Sequence, residues 1–182
     1  MITPRRYFLQ GLWAVPLTAG LSACGFQLRS VGNYPFKTLF ANFSISSPLG
    51  VELRRNLLGT GRIEVWSEPA QMLKADAILD ILGEERQQVV VGINALGQVR
   101  ELQLRLRVRF GLRTPDGVNL IDVVELAQQR DLSFTETAAL SKEIEQGLMY
   151  RDMQTDIVQQ IMRRLAMVKL PSKPVAESAH KP

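Results

Sequence analysis

A chain of 182 residues has room for one ordinary domain and not for two comfortable ones. With 46% hydrophobic, 22% charged and 7% aromatic residues, it has a globular composition, which excludes disordered, fibrous and collagen-like classes. One Cys rules out an internal disulfide framework or a Cys-based zinc site, one His (His180) leaves no multi-His metal site, and no Walker-type phosphate loop occurs. The inventory therefore leans away from an enzyme, and the net charge of +4 does not by itself identify a partner.

Residues 1–23 carry the features of an export signal: Arg5 and Arg6 in front, then a mostly apolar or small stretch broken by Pro16. That stretch is shorter than the ~20 residues a spanning helix needs. Leu21-Ser22-Ala23-Cys24 resembles the bacterial lipobox, in which small residues admit the backbone to a peptidase and the Cys thiol takes up a diacylglyceryl group. Cys24 is thus the expected lipid attachment point, and a leader cut by ordinary signal peptidase is the plainer alternative. Arg5-Arg6-Tyr7-Phe8-Leu9 fits a twin-arginine signal and equally a Sec leader. Gly25, rather than Asp, after the Cys favours the outer membrane. Without Arg5 and Arg6 the remaining chain has 20 basic against 18 acidic residues.

Residues 24–35 form a lead to a domain expected over 36–170. Phe36–Phe43 reads as a first strand. Ser46, Ser47 and Pro48 offer a cap and first turn for a helix with Leu49, Leu53 and Leu57 on one stripe, stopped by Gly59 and Gly61. Arg62–Ser67 alternates as a second strand, and Glu68–Ala75 is expected to be a loop. Asp76–Asn94 has strand-like apolar residues, with a bulge or bend at Gly83 and a turn at Asn94–Gln98.

The clearest periodicity follows. Leu102, Leu104, Leu106, Val108, Phe110 and Leu112 occupy even positions, while Glu101, Gln103, Arg105, Arg107, Arg109 and Arg113 occupy odd ones. Such period two predicts a strand buried on one face and wet on the other. Thr114-Pro115-Asp116-Gly117 is a turn signal, and Val118–Phe134 is its antiparallel partner. Thr135 or Thr137 can cap a last helix from about Ala138 to Met167, with Leu140, Ile144 and Leu148 in one apolar row. Met153, Ile157, Ile161, Leu165 and Val168 continue that row with a slight phase shift. Gly147 inside it permits close packing or a bend. The Pro-rich residues 171–182 are expected to be a flexible tail.

Taken as strand, helix, strand, strand, strand, helix, the order predicts an α+β two-layer sandwich. Two helices pack on one face of a four-stranded, mostly antiparallel but mixed sheet.

The sequence resembles the lipopolysaccharide-assembly lipoprotein (LptE) family. The resemblance rests on Cys24-Gly25-Phe26-Gln27-Leu28-Arg29, on Tyr34-Pro35-Phe36-Lys37-Thr38-Leu39, on Ala139-Leu140-Ser141-Lys142-Glu143, and on residues 157–165 in that order after the lipobox. It implies an outer-membrane, lipid-anchored protein. Such a protein plugs and helps assemble a large β-barrel partner, LptD, and binds lipopolysaccharide during its insertion into the outer leaflet. No cofactor is implied beyond the covalent lipid on Cys24. Lys142 matches a basic position of the family at the start of the last helix. The turn at 94–97 lacks the family's basic residue, and Arg100 is the nearest candidate.

Independently of the family, Arg105, Arg107 and Arg109 form a ladder able to meet phosphates or an acidic barrel wall; the plainer alternative is a solvated face paired with Glu125 and other acids on the neighbouring strand. Nucleic-acid binding is disfavoured, because no aromatic shares the basic face and export removes the chain from RNA. Asp76 with Asp80, or Glu84 with Glu85, are simpler as surface acids than as a catalytic pair. The competing function is an accessory lipoprotein of another outer-membrane assembly machine.

Overall fold

The alternating stretches and apolar stripes become, in the computed structural model, β1 (Thr38–Asn42), α1 (Pro48–Gly59), β2 (Glu64–Trp66), a 3-10 turn (Pro69–Lys74), β3 (Ala77–Ile93), β4 (Val99–Arg113), β5 (Asn119–Ser133) and α2 (Ala139–Ala166). The structure describes residues 34–135 and 139–170. The expected leader, Cys24, the Thr137 cap and the tail lie outside the described residues.

The strands form one mixed sheet in the order β2-β1-β3-β4-β5. β1 pairs in parallel with both β2 and β3, as a helical crossover between β1 and β2 requires. β3, β4 and β5 pair antiparallel as a long meander. The expected count of four strands is therefore corrected to five. Each strand-like stretch of the sequence, Arg62–Ser67 included, forms its own strand, and the short β2 is the outer neighbour of β1. The expected loop at 68–75 is corrected too, because Pro69 opens a 3-10 turn there.

Local chemistry explains the helix boundaries. Ser47 stands at the N-cap of α1, where its hydroxyl accepts from the Gly50 amide at 3.0 Å, and Pro48 follows it. The chain leaves α1 through Thr60 and then Gly61 at φ 65°, a left-handed conformation that suits glycine. The hairpin turns likewise place Gly97 and Gly117 at positive φ.

Both helices cover one face of the sheet. Leu104, Leu106, Val108, Phe110 and Leu112 of β4 are buried there with Leu49, Leu53 and Leu57 of α1 and Met153, Ile157, Ile161 and Leu165 of α2. The predicted bulge occurs between Ile81 and Gly83. It shifts the phase of β3, so that Glu84 and Arg86, opposite Val108 and Leu106, turn toward the helices. Arg86 is engaged there by Glu84 at 2.8 Å, by Gln154 at 3.2 Å and by the Tyr150 ring 5.5 Å from its guanidinium carbon. Tyr150 donates to the Gln87 carbonyl at 2.7 Å. Burial raises the Tyr150 pKa, and the Arg86 charge pulls the other way.

A second, smaller cluster sits on the opposite face. Phe40, Ala75 and Ile78 are buried there with Trp66 and Met72 beside them, Met72 being supplied by the 3-10 turn. Asp76 fastens this corner by accepting the Lys37 and Thr38 amides, each at 2.9 Å. Partial burial raises its pKa, but the Thr38 and Lys37 amides, the Thr38 hydroxyl and the Lys37 charge together outweigh that and lower it.

Candidate functional site

The odd-numbered side chains of β4 lie on the sheet face that the helices leave open. Strand pairing sets the neighbours of each arginine: Arg105 lies between Gln87 and Gln129, Arg107 between Glu85 and Ala127, Arg109 between Gly83 and Glu125. Successive arginines on one strand face are ~6.6 Å apart along the backbone. The Arg105 Nε donates to Gln103 at 2.7 Å, and Arg107 approaches Glu125 diagonally at 4.0 Å. The Arg109 guanidinium lies over Gly83, where a Cβ would come within 3.3 Å of its Nη2. A groove of about 270 Å³ runs beside Arg105 and Arg107, walled by Ala127, Gln128 and Gln129.

Charge compensation along the ladder is thin. The Arg107–Glu125 contact joins two side chains that are 39% and 49% exposed, the class of pair whose contribution is ~0–1 kcal/mol. By contrast Arg113, on the same face, is tied to Asp80 at 2.8 Å, and Asp80 also accepts from Asn42. Of the plainer alternative, a solvated face paired with Glu125 and other acids, the structure shows one weak contact, Arg107 to Glu125, with Glu125 also opposite Arg109 and Glu85 opposite Arg107. What the ladder offers is a row of planar donor forks, suited to phosphate or carboxylate groups.

Lys142 and Arg100 belong to the rim of this face. The Arg100 carbonyl accepts the Phe134 amide at 2.8 Å, just beyond the end of β5. Lys142, in the first turn of α2, reaches Ser133 at 3.4 Å and Glu145 at 2.8 Å. The Arg100 side chain is exposed and donates to Gln98 at 3.5 Å. Arg105 lies four residues along β4 from the Glu101–Ser133 pair, about 13 Å away. The structure therefore gathers Lys142 and Arg100 at one end of the sheet, with Arg105, Arg107 and Arg109 running away from them down the open face. It does not merge them into one pocket. Gln87, Gln103 and Gln129, which frame the ladder, were not singled out from the sequence. They become visible only once the register of the two hairpins is fixed.

Among the described residues no group of three His, Cys, Asp or Glu side chains is placed to hold a metal. No described helix is long and apolar enough to cross a membrane.

Fold and surface together define a two-layer α+β domain with an open, arginine-bearing sheet face. The lipopolysaccharide-assembly family LptE matches residues 30–165, and the chain belongs to that family. It is 29% identical over 157 residues to the LPS-assembly lipoprotein LptE of Yersinia enterocolitica, an alignment covering 85% of this chain and 72% of that one. Among solved structures it is similar to uncharacterized lipoprotein B from Nitrosomonas europaea, with TM-score 0.66 and 30% identity, covering 78% of this chain and 90% of the other. Rare lipoprotein B from Shewanella oneidensis shares the fold at TM-score 0.59 and 19% identity, covering 71% and 93% respectively. Membership carries a role in lipopolysaccharide assembly and implies no cofactor.

Proposed function

We propose that this chain is an outer-membrane lipoprotein, anchored by acyl groups on Cys24, that plugs and helps assemble an LptD-like β-barrel and binds lipopolysaccharide on its way to the outer leaflet. The observation that carries this reading is the family match over 30–165, with the lipobox in front of it. Acyl chains on one Cys contribute ~0.8 kcal/mol per buried methylene, enough for a stable tether when more than one chain is attached. In this reading no covalent step falls to the protein; it docks and holds.

Lipopolysaccharide presents phosphates on an acylated disaccharide. Lys142 and Arg100 at the rim and Arg105, Arg107 and Arg109 down the open face are the cations we assign to those phosphates. The weak compensation of Arg107 and the amide-lined groove beside Arg105 support that assignment. The neighbouring amides add donors without adding opposing charge.

Two measurements test the reading. Native purification from detergent-solubilised outer membrane is expected to yield one large barrel near stoichiometry; recovery of a different assembly machine, or of no barrel, rejects the partner. The double variant Lys142→Glu/Arg105→Glu is expected to lose lipopolysaccharide binding with an unchanged circular dichroism spectrum and unchanged barrel recovery. Undiminished binding rejects the assigned cations.

A further inference from the structure

The described chain enters the fold at one end of the sheet, and topology places several distant segments at that same end. Tyr34 and Phe36 precede β1, whose first residues pair beside the start of β3, with Leu39 opposite Ala77. The start of β3 faces the end of β4, with Ile78 opposite Arg113, and the 114–117 turn leads from there into β5. α2 also finishes here: Arg164, Met167, Val168 and Lys169 share a groove of about 380 Å³ with Leu120 and Ile121. The β3–β4 turn, Arg100 and Lys142 belong to the opposite end.

Among the described residues the entry end leaves several apolar side chains uncovered and is mixed in character. Met167 is 72% exposed, Val118 53%, and Leu73 of the 3-10 turn 78%. Basic side chains surround them: Lys74 follows Leu73, and Arg164 and Lys169 line the groove beside Met167. Among the described residues neither Arg164 nor Lys169 forms an ion pair. Of the acids at this end, Asp76 is exposed and accepts the Lys37 and Thr38 amides, Asp80 is paired with Arg113, and Glu64, opposite Thr38, is exposed. Asp122 accepts from Asn119 at 3.1 Å, and Asp116 stands in the turn before Val118. Isolated apolar side chains among long cations suit a surface that rests in a headgroup layer. The apolar groups sink past the phosphates, and Lys and Arg snorkel back to them.

Chain length selects the occupant. Cys24 precedes Tyr34 by ten residues, and ten residues span at most about 35 Å when extended. An acyl group on Cys24 therefore holds the entry end at high effective concentration near the bilayer. β3 alone runs 17 residues, about 56 Å, toward the other end.

We propose that the entry end of the domain, formed by Leu73, Val118, Met167, Arg164 and Lys169, is a membrane-contact face that binds anionic phospholipid headgroups in addition to the acyl anchor. The proposal rests on the lipid-anchored reading above and concerns the lipoprotein on the bilayer before it fills its barrel; the two are separable by experiment. The acylated full-length mature protein is placed on vesicles of phosphatidylcholine alone or mixed with phosphatidylglycerol. With Cys24 acylated, a single Cys introduced at Met167 or at Leu96 carries an environment-sensitive fluorophore.

The Met167→Cys probe is expected to be quenched several-fold more strongly by a headgroup-level nitroxide lipid when phosphatidylglycerol is present, and the Leu96→Cys probe is not. Adding Arg164→Glu and Lys169→Glu is expected to remove the difference with no change in circular dichroism or melting. A probe at Met167 that behaves like the one at Leu96, or quenching that survives the double charge reversal, overturns the proposal. Flotation on pure phosphatidylcholine reads the anchor separately. If the protein fails to float there, the anchor reading falls. The face is then decided by flotation with phosphatidylglycerol vesicles: charge-dependent flotation upholds it, and none overturns it.

Discussion

The two halves of α2 share a sequence pattern and differ in fate. Leu140, Ile144 and Leu148 repeat every four residues and are 74%, 64% and 51% exposed, whereas Met153, Ile157, Ile161 and Leu165 repeat in the same way and are wholly buried. The cause begins in the spacing: five residues, not four, separate Leu148 from Met153, so at 100° per residue the two rows lie about 120° apart around the helix and the first is turned away from the sheet that buries the second. α1 flanks only the second half, where Glu52 meets Gln154 and Thr155 and Asn56 meets Gln159. α1 has twelve residues and β1 and β2 are short, so the full two-layer stack exists at one end of the sheet. Toward the other end Leu104 and Leu132 are still buried in the core with Tyr150, so apolar sheet surface is present there and the Leu140 row is turned away from it. A spacing of four marks an apolar row; the phase of that row around the helix decides whether it meets the sheet.

Truncation tests this division most strongly. Ile157→Ala removes side-chain volume from a fully buried site and is expected to cost about 2–5 kcal/mol in chemical denaturation. Ile144→Ala, the same change on the exposed half, is expected to stay within about 0.5 kcal/mol. Equal losses at the two positions would mean that the first half of α2 is covered in solution and would break the comparison.

What the sequence disclosed follows from the range of the interactions involved. The β4 alternation, the α1 cap at Ser47 and Pro48, the turns at 94–98 and 114–117 and the bulge at Gly83 are all written in residues close together, and each formed as expected. The open placement of Arg105, Arg107 and Arg109 follows from that alternation alone. Four strands are expected and five form, although every strand-like stretch is legible, Arg62–Ser67 included; the 3-10 turn is not legible, because its Met72 packs on Phe40 and Ile78, which local sequence does not bring to it. Position alone could not show that Lys142 is braced by Ser133 and Glu145, nor that Gln87 and Gln129 flank Arg105. These depend on pairings set by hairpin register and by the docking of α2.

The joint between the halves of α2 is the next place to press. Glu52 is a buried carboxylate that accepts from Gln154 Nε2 and Thr155 Oγ1, each at 2.7 Å, across 102 and 103 residues of sequence. Glu52→Ala leaves a buried amide unpaired and is expected to cost about 1–3 kcal/mol. A double-mutant cycle with Gln154→Ala is expected to show coupling, because the two side chains share one bond. Strict additivity would place the junction's stability in apolar packing instead.

A smaller effect of opposite sign is expected within the exposed half. Gly147 was expected to mark close packing or a bend, but a Cβ built there meets nothing within 4 Å. Gly147→Ala is therefore expected to raise stability by up to about 1 kcal/mol through helix propensity alone. A loss on this substitution would show that a partner or a fold contact lies against that position.

The smallest effect serves as a control that neither half of α2 governs. Asp76 ties the start of β1 to the start of β3, and its pKa is lowered in the fold. A lowered folded value means that its contribution is fully present above the unfolded carboxylate value of about 3.9 and is lost as pH falls through the folded value. The window therefore lies below about pH 4. Asp76→Asn is expected to lower the melting temperature slightly at neutral pH, with the gap to the unsubstituted protein narrowing on acidification through that window. A gap that stays constant would assign the effect to the loss of a good acceptor rather than to charge. A matched series with Ile144→Ala is expected to show no pH-dependent gap, because that residue carries no titrating group, and so separates the electrostatic corner of the sheet from the uncovered stripe on α2.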